Sequence, residues 1–286
     1  CQMAMNAYYI ALIAESVGDA ETAGYFRGEN RRLAEMVNSR MWDEATGFYY
    51  DLTAEGKPTG VKTVLGFWPL VARIARPEQA KSLTRWLTNP RAFWRPNVVP
   101  ALAADEEGYT PDGQYWNGAV WAPTNYMVVK GLETYGYEKL ASRTTARYLA
   151  NMALVLDEKG TIFENYAPEK PVGHGVRDMV GWSGVGPIAL LIENILGVRG
   201  NAAEGQVLWR PRLPGENGVR GLAVGKTRIS LVASALAGGK RTLTMTADRP
   251  ITVLVDTGFG EPKPYRIGPG TTTISARFRA SETLRD

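Results

Sequence analysis

The chain has 286 residues, 44% of them apolar and 22% charged, with a formal net charge of +4. That length suits two domains, and the composition is that of a globular protein. A single cysteine, Cys1, excludes an internal disulfide framework, and a single histidine, His174, excludes a site built from several imidazoles.

The basic residues are scattered, with Arg31-Arg32 and Lys240-Arg241 as adjacent pairs, so no nucleic-acid partner is expected. No apolar run is long enough to span a bilayer, and no membrane partner is expected either. No metal or organic cofactor is implied. Carboxylate chemistry is the main catalytic option left.

The chain starts at Cys1-Gln2-Met3, already inside a helical pattern, without an initiator Met or signal peptide. This predicts a fragment whose N-terminal part lies upstream, and no compartment can be read. Helical spacing predicts a first helix over 2–17 with Met5, Tyr9, Leu12 and Ile13 as its apolar face. A second, over 20–40, places Phe26, Leu33, Met36 and Val37 on one side and Arg31, Arg32 and Glu35 toward water. Residues 41–50 read as a short extended hairpin around Glu44-Ala45-Thr46-Gly47.

Further helices are predicted at 62–74, 77–88, 120–135, 138–156 and 184–197. The connectors 89–119 and 157–183 are long and rich in Trp and Tyr, which argues for functional loops. Beyond Gly197 the pattern changes to short Val/Thr/Leu/Ile runs at 219–224, 226–233, 240–247, 251–256, 262–267 and 271–278. These predict a small all-β, sandwich-like domain over 207–286, after a linker at 198–206.

Phe163-Glu164-Asn165-Tyr166 sets a carboxylate between aromatic residues. Aromatic rings cover the C–H face of a pyranose, and a carboxylate accepts its hydroxyl protons or takes a proton from water. The bland alternative is an acid that bonds only the backbone of its own loop. From these residues alone the bland reading is the stronger.

Four motifs in one order resemble glycoside hydrolase family 63 and its trehalase relatives. They are Met41-Trp42-Asp43 to Phe48-Tyr49, then Gly66-Phe67-Trp68-Pro69-Leu70, then Gln114-Tyr115-Trp116-Asn117-Gly118 running on through Trp121 to Tyr126, then Phe163-Glu164-Asn165-Tyr166 with Gly181-Trp182. The resemblance covers residues 1 to about 197 and is closest to the mannosylglycerate-hydrolase-like branch. It implies a mainly α fold, the C-terminal half of an (α/α)6 toroid, so the domains expected are 1–197, linker 198–206 and β domain 207–286. It also implies inverting hydrolysis of α-linked glycosides: an α-glucoside or α-mannoside, a small glycosyl-glycerate or an oligosaccharide.

By motif position Glu164 corresponds to the family's general base. The general acid is expected upstream of Cys1, with the missing half of the catalytic domain, which would leave this fragment inactive. Trp68, Tyr115, Trp116, Asn117, Trp121, Tyr166, His174 and Trp182 are the candidate substrate contacts. For Trp68, Trp121 and Trp182, core packing is the competing role. Asn165 and Tyr166 are expected to orient Glu164. His174, between Gly173 and Gly175, is expected in a mobile loop. Asp112 is the carboxylate to test within the chain if the fragment reading fails. Two other functions compete: a lyase or epimerase on the same toroid, against which the single histidine counts, and a non-catalytic carbohydrate-binding or structural module.

Overall fold

Helices α1 (Gln2–Ser16) and α2 (Ala20–Arg40) form an opening hairpin, the second capped by Asp19, whose side chain accepts the Thr22 N–H at 3.0 Å. The buried face of α1 is Ala4, Ala7, Ala11 and Ala14, whereas Tyr9, Leu12 and Ile13 of the predicted apolar face are exposed. Small side chains let two helix backbones approach, so hydrophobicity alone picked the wrong stripe. The computed structural model describes residues 1–178 and 181–279. The chain divides into two units, Cys1–Gly186 and Pro187–Asp286.

In the first unit, α2 is followed by the hairpin of β1 (Trp42–Asp43) and β2 (Phe48–Tyr49), as expected from 41–50. The helix predicted at 62–74 is instead a 3-10 turn, Val64–Phe67, and one α-helical turn, α3 (Trp68–Val71). It stops because Arg73 takes a left-handed conformation, φ 60°, which a helix cannot continue. Helices α4 (Pro77–Leu87), α5 (Ala122–Thr134) and α6 (Glu138–Lys159) occur where predicted. The last ends on Gly160 at φ 69°, the left-handed cap that glycine adopts without a Cβ penalty. Phe48, Phe67 and Phe93 are fully buried together, Phe67 meeting Phe93 edge-on at 4.9 Å.

The connector 157–183 is not all loop. It contains β3 (Phe163–Tyr166) paired antiparallel with β4 (Gly173–Arg177), with Asn165 opposite His174 and a bulge between Phe163 and Asn165. Glu164 therefore stands on a strand, and His174 sits in a strand pairing rather than a mobile loop. Isolated bridges Thr63↔Leu102, Pro100↔Val120 and Val120↔Tyr166 join β3 to extended segments far away in sequence.

A π-helix, Gly186–Ile195, lies in the second unit apart from its first residue, at the position predicted as helix 184–197. All six predicted strands follow: β7 (Asn217–Val224), β8 (Thr227–Ala233), β9 (Lys240–Ala247), β10 (Ile251–Val255), β11 (Lys263–Ile267) and β12 (Gly270–Arg277). Two more, β5 (Val198–Asn201) and β6 (Gln206–Trp209), occupy the expected linker 198–206 and its edge. They complete two four-stranded sheets, ordered β11-β10-β6-β5 and β12-β9-β8-β7, with β6 parallel to β10. Alternate residues of both sheets, among them Val207, Trp209, Leu231, Met245 and Val253, share one buried core. Ile192 and Leu196 pack on that core, and all of this helix after Gly186, placed in the expected domain 1–197, falls in the second unit. Residues 280–286 of the expected β domain lie outside the described residues.

Candidate active site

Strand β3 presents its carboxylate toward β4. Glu164 Oε2 accepts the backbone N–H of Val176 at 3.1 Å, and the Glu164 carbonyl accepts Ser183 Oγ at 3.2 Å, with Phe163 O at 2.8 Å from the same hydroxyl. Beneath the carboxylate lies Gly175 at φ +72°, where an added Cβ would overlap Glu164 Oε2. Glycine is thus required twice, by the backbone conformation and by the closeness of the carboxylate. Orientation of Glu164 comes from Val176 and Ser183, not from its neighbours as expected. The Tyr166 hydroxyl accepts the Phe163 N–H at 3.1 Å, and Asn165 is buried with Oδ1 lacking a partner among the described residues.

A cleft of about 480 Å³ opens here, lined by Glu164, Asn165, His174 and Gly175 on one wall and by residues 112–115 on the other, with Lys170 and Val172 at the turn. His174 Nε2 is a second buried polar atom without a partner among the described residues. Both atoms have almost no exposed surface, so they lie within the wall behind the cleft, unlike most buried polar atoms in having no partner there. At its rim Asp112 pairs with Lys170 at 2.6 Å, both exposed. The Lys170 hydrogen bond and charge, with a smaller share from His174, hold the Asp112 carboxyl below its usual value.

The opposite wall is strained. Tyr115 has φ 51°, uncommon for a non-glycine residue and costing roughly 1–3 kcal/mol. Its segment is folded back by Thr110, whose N–H and Oγ1 both donate to Asn117 O at 2.7 and 2.9 Å. The Tyr109 ring lies against Gly118, where a Cβ would stand 2.8 Å from Cε2.

Among the predicted contacts, Tyr115 and His174 line the cleft with Glu164. Trp116 stacks on Trp121 at 4.5 Å and 14°, while Tyr115 and Trp182 meet Trp121 edge-on at 5.0 and 6.3 Å. Trp121 is 1% exposed and acts as the buried hub, leaving Tyr115, Trp116 and Trp182 exposed around it. Asn117 is exposed and contributes nothing to the cleft lining. Tyr166 is buried against Tyr148 at 6.2 Å, a core residue. Trp68 lies elsewhere, on a separate cavity of about 150 Å³ with Tyr50, Asp51 and Leu65. Sequence reading missed Lys170, Gln114 and Gly175 as lining residues, and only the glycines flanking His174 offered a signal for the last.

Among the described residues no group of three or more His, Cys, Asp or Glu side chains is placed to hold a metal ion. Residues 1–183 match the family described as "Mannosylglycerate hydrolase MGH1-like glycoside hydrolase domain". An uncharacterized protein of Borreliella burgdorferi is 28% identical over 82% of this chain and 52% of its own length. A mannosylglycerate hydrolase of Thermus thermophilus is 36% identical over 49% of this chain and 32% of its own. The crystal structure of a GH63 mannosylglycerate hydrolase from another strain of Thermus thermophilus, in complex with glucose, superposes at a TM-score of 0.54 and 25% identity, over 66% of this chain and 45% of that one. The chain thus spans at most about half the length of these relatives. With its first 183 residues matched as one block, it belongs to the mannosylglycerate hydrolase MGH1-like glycoside hydrolase family.

Proposed function

We propose that the first unit carries the general-base half of an inverting glycosidase site, with Glu164 as the base. The observation that carries this reading is the Glu164 carboxylate, oriented by the Val176 N–H in a polar cleft with Asn165, His174 and Tyr115. Inversion needs a second carboxyl group roughly 6.5–9.5 Å from the base, leaving room for the attacking water. That group must keep its proton at the working pH to protonate the leaving oxygen. Asp112 is the other carboxylate of the cleft lining, and its lowered pKa suits it to the ion pair with Lys170, not to acid catalysis.

The acid therefore comes from outside this cleft lining, in a segment N-terminal to Cys1, and the first unit is part of an (α/α)6 toroid completed by that segment. In this site Glu164 takes a proton from water as the water attacks the anomeric carbon, and the glycosidic oxygen leaves with the proton of the acid. Asn165 and His174 form the polar wall of the sugar subsite, and Tyr115 covers a ring face. An α-linked glycoside is the substrate class. Because the Thermus thermophilus relatives are mannosylglycerate hydrolases, mannosylglycerate is the first substrate to offer.

The test compares a protein containing the upstream segment with its Glu164→Gln variant. Loss of a general base lowers kcat by about 10²–10⁴-fold while sugar binding, followed by calorimetry, persists. The 286-residue chain alone should show no turnover. NMR of the first-formed sugar should show the inverted anomer. Unchanged kcat in Glu164→Gln, with saccharide binding intact, would favour a non-catalytic binding module instead.

A further inference from the structure

The two walls of the cleft are joined by one partly buried polar cluster. Glu169, in the turn after β3, accepts the Arg95 fork at both oxygens, Nε to Oε1 at 2.7 Å and Nη2 to Oε2 at 2.9 Å. The Tyr109 hydroxyl donates to Oε1 at 2.5 Å. Arg95 is itself anchored: its carbonyl accepts Arg147 Nη1 of α6 at 2.9 Å, and its own Nη1 donates to Pro90 O. Arg147 in turn lies over the Trp94 ring at 4.9 Å.

We infer that Glu169 is a positioning residue for the Glu164 cleft, tying the 109–118 wall to the β3–β4 wall. Each end of the tie is traceable. On one side, Asn97 is fully buried and donates its N–H to Pro168 O at 2.8 Å and Nδ2 to Ala167 O at 3.0 Å, so the chain between Tyr166 and Glu169 is fixed. On the other, Tyr109 leads directly into the segment folded by Thr110 and Asn117 that presents Tyr115.

A second side-chain link between the walls is Asp112–Lys170, with side chains 65% and 53% exposed. Solvent and salt screen such a pair, and it holds little. The Arg95–Glu169 pair, 26% and 23% exposed, is better shielded and bidentate, the stronger geometry. Burial pushes the Glu169 carboxyl up, and the bonds from Arg95 and Tyr109 outweigh it, so its pKa falls below the usual value. The tie is thus charged across the neutral range. Glu169 is not itself a lining residue of the cleft; it acts through the loop that Tyr109 carries.

In its catalytic consequence this inference rests on the reading of Glu164 given above; in its structural consequence it does not. The experiment measures amide hydrogen exchange of 109–118, together with kcat and KM, in the parent protein containing the upstream segment and in its Glu169→Gln, Tyr109→Phe and double variants. Losing a charge-assisted bond should speed exchange of 109–118 by about tenfold or more, with α6 and the second unit unchanged. KM should rise by a similar factor while kcat changes little, because the loosened wall holds sugar but moves no proton. The two single variants should not add, since each cuts the same link. Glu169→Asp should recover part of the loss.

Unchanged exchange of 109–118 in Glu169→Gln overturns the inference, as does faster exchange with KM unchanged in an active parent. If the parent shows no turnover, the reading of Glu164 fails and exchange alone decides this one. Should Glu169→Gln fail to fold, Tyr109→Phe, which removes a single hydroxyl, carries the same test.

Discussion

Gly175→Ala set beside Gly60→Ala isolates the contact between β4 and the Glu164 carboxylate. Both glycines have φ +72°, so both substitutions impose the same left-handed strain on alanine, about 1–2 kcal/mol. At Gly60 an added Cβ meets no heavy atom within 4 Å. At Gly175 it would overlap Glu164 Oε2 and lie 2.9 Å from both Glu164 Cβ and Asn165 Nδ2. Overpacking of this kind costs typically about 1–3 kcal/mol, and here it falls on a side chain held by one backbone bond and on a buried amide.

Gly175→Ala should therefore cost about 1–3 kcal/mol more than Gly60→Ala. Urea denaturation followed by tryptophan emission measures the difference, because every tryptophan except Trp209 precedes Gly186 and reports the first unit. In the protein containing the upstream segment, the same variant should lower kcat by on the order of 10²-fold, the expected penalty for moving a reacting group by about 1 Å. Equal stability losses in the two variants would refute the placement of the carboxylate over Gly175.

Two further outcomes test the surroundings of the cleft. Asn125 is fully buried; its Oδ1 accepts the Val99 N–H at 2.8 Å and its Nδ2 donates to Trp121 O at 2.9 Å. Asn125→Ala strands the Val99 N–H and leaves a small cavity, which should cost about 2–4 kcal/mol in the same denaturation experiment. For Glu169 the folded-state pKa is depressed below its ordinary value of 4.5. Its contribution is therefore complete above the unfolded pKa and is lost as pH falls through the lower folded value. The stability gap between parent and Glu169→Gln should be flat above about pH 5 and shrink below about pH 4.5; a gap unchanged down to about pH 3 would contradict the ion pair.

The legible parts of the sequence were those whose periodicity is local. Strands β8, β9, β10 and β12 alternate clearly because one face meets the sandwich core and the other meets water. Strands β5 and β6 were illegible for the opposite reason. Val198-Arg199-Gly200-Asn201 carries glycine and polar residues, and β6 is fixed by parallel pairing to β10, a partner far along the chain. In α1 the larger side chains drew the eye, yet the helix buries four alanines, a choice made by backbone approach to α2 and not by hydropathy.

At the site, the Glu164 segment stood out for its composition, but its strand pairing did not. The turn between β3 and β4 contains no two-residue hairpin signal, and the bulge breaks the alternation. Trp121 carried core packing as a competing role in the sequence and Trp116 did not, and packing makes Trp121 the buried hub with the exposed Trp116 ring stacked on it. The Glu169 tie was invisible because its three members are scattered and each reads alone as a surface residue.

The bridges Thr63↔Leu102, Pro100↔Val120 and Val120↔Tyr166 bear on the order in which the first unit assembles. The helical hairpin of α1 and α2 closes over a short turn, while each bridge must first close a long stretch of chain and bear that entropy before its hydrogen bonds form. The strand that holds Glu164 is the last link of the series, so it is expected to dock late in refolding, onto helices already formed. The Glu164 carboxylate placed there reports on the whole unit: it reaches its place over Gly175 only when segments from Thr63 to Tyr166 have found one another.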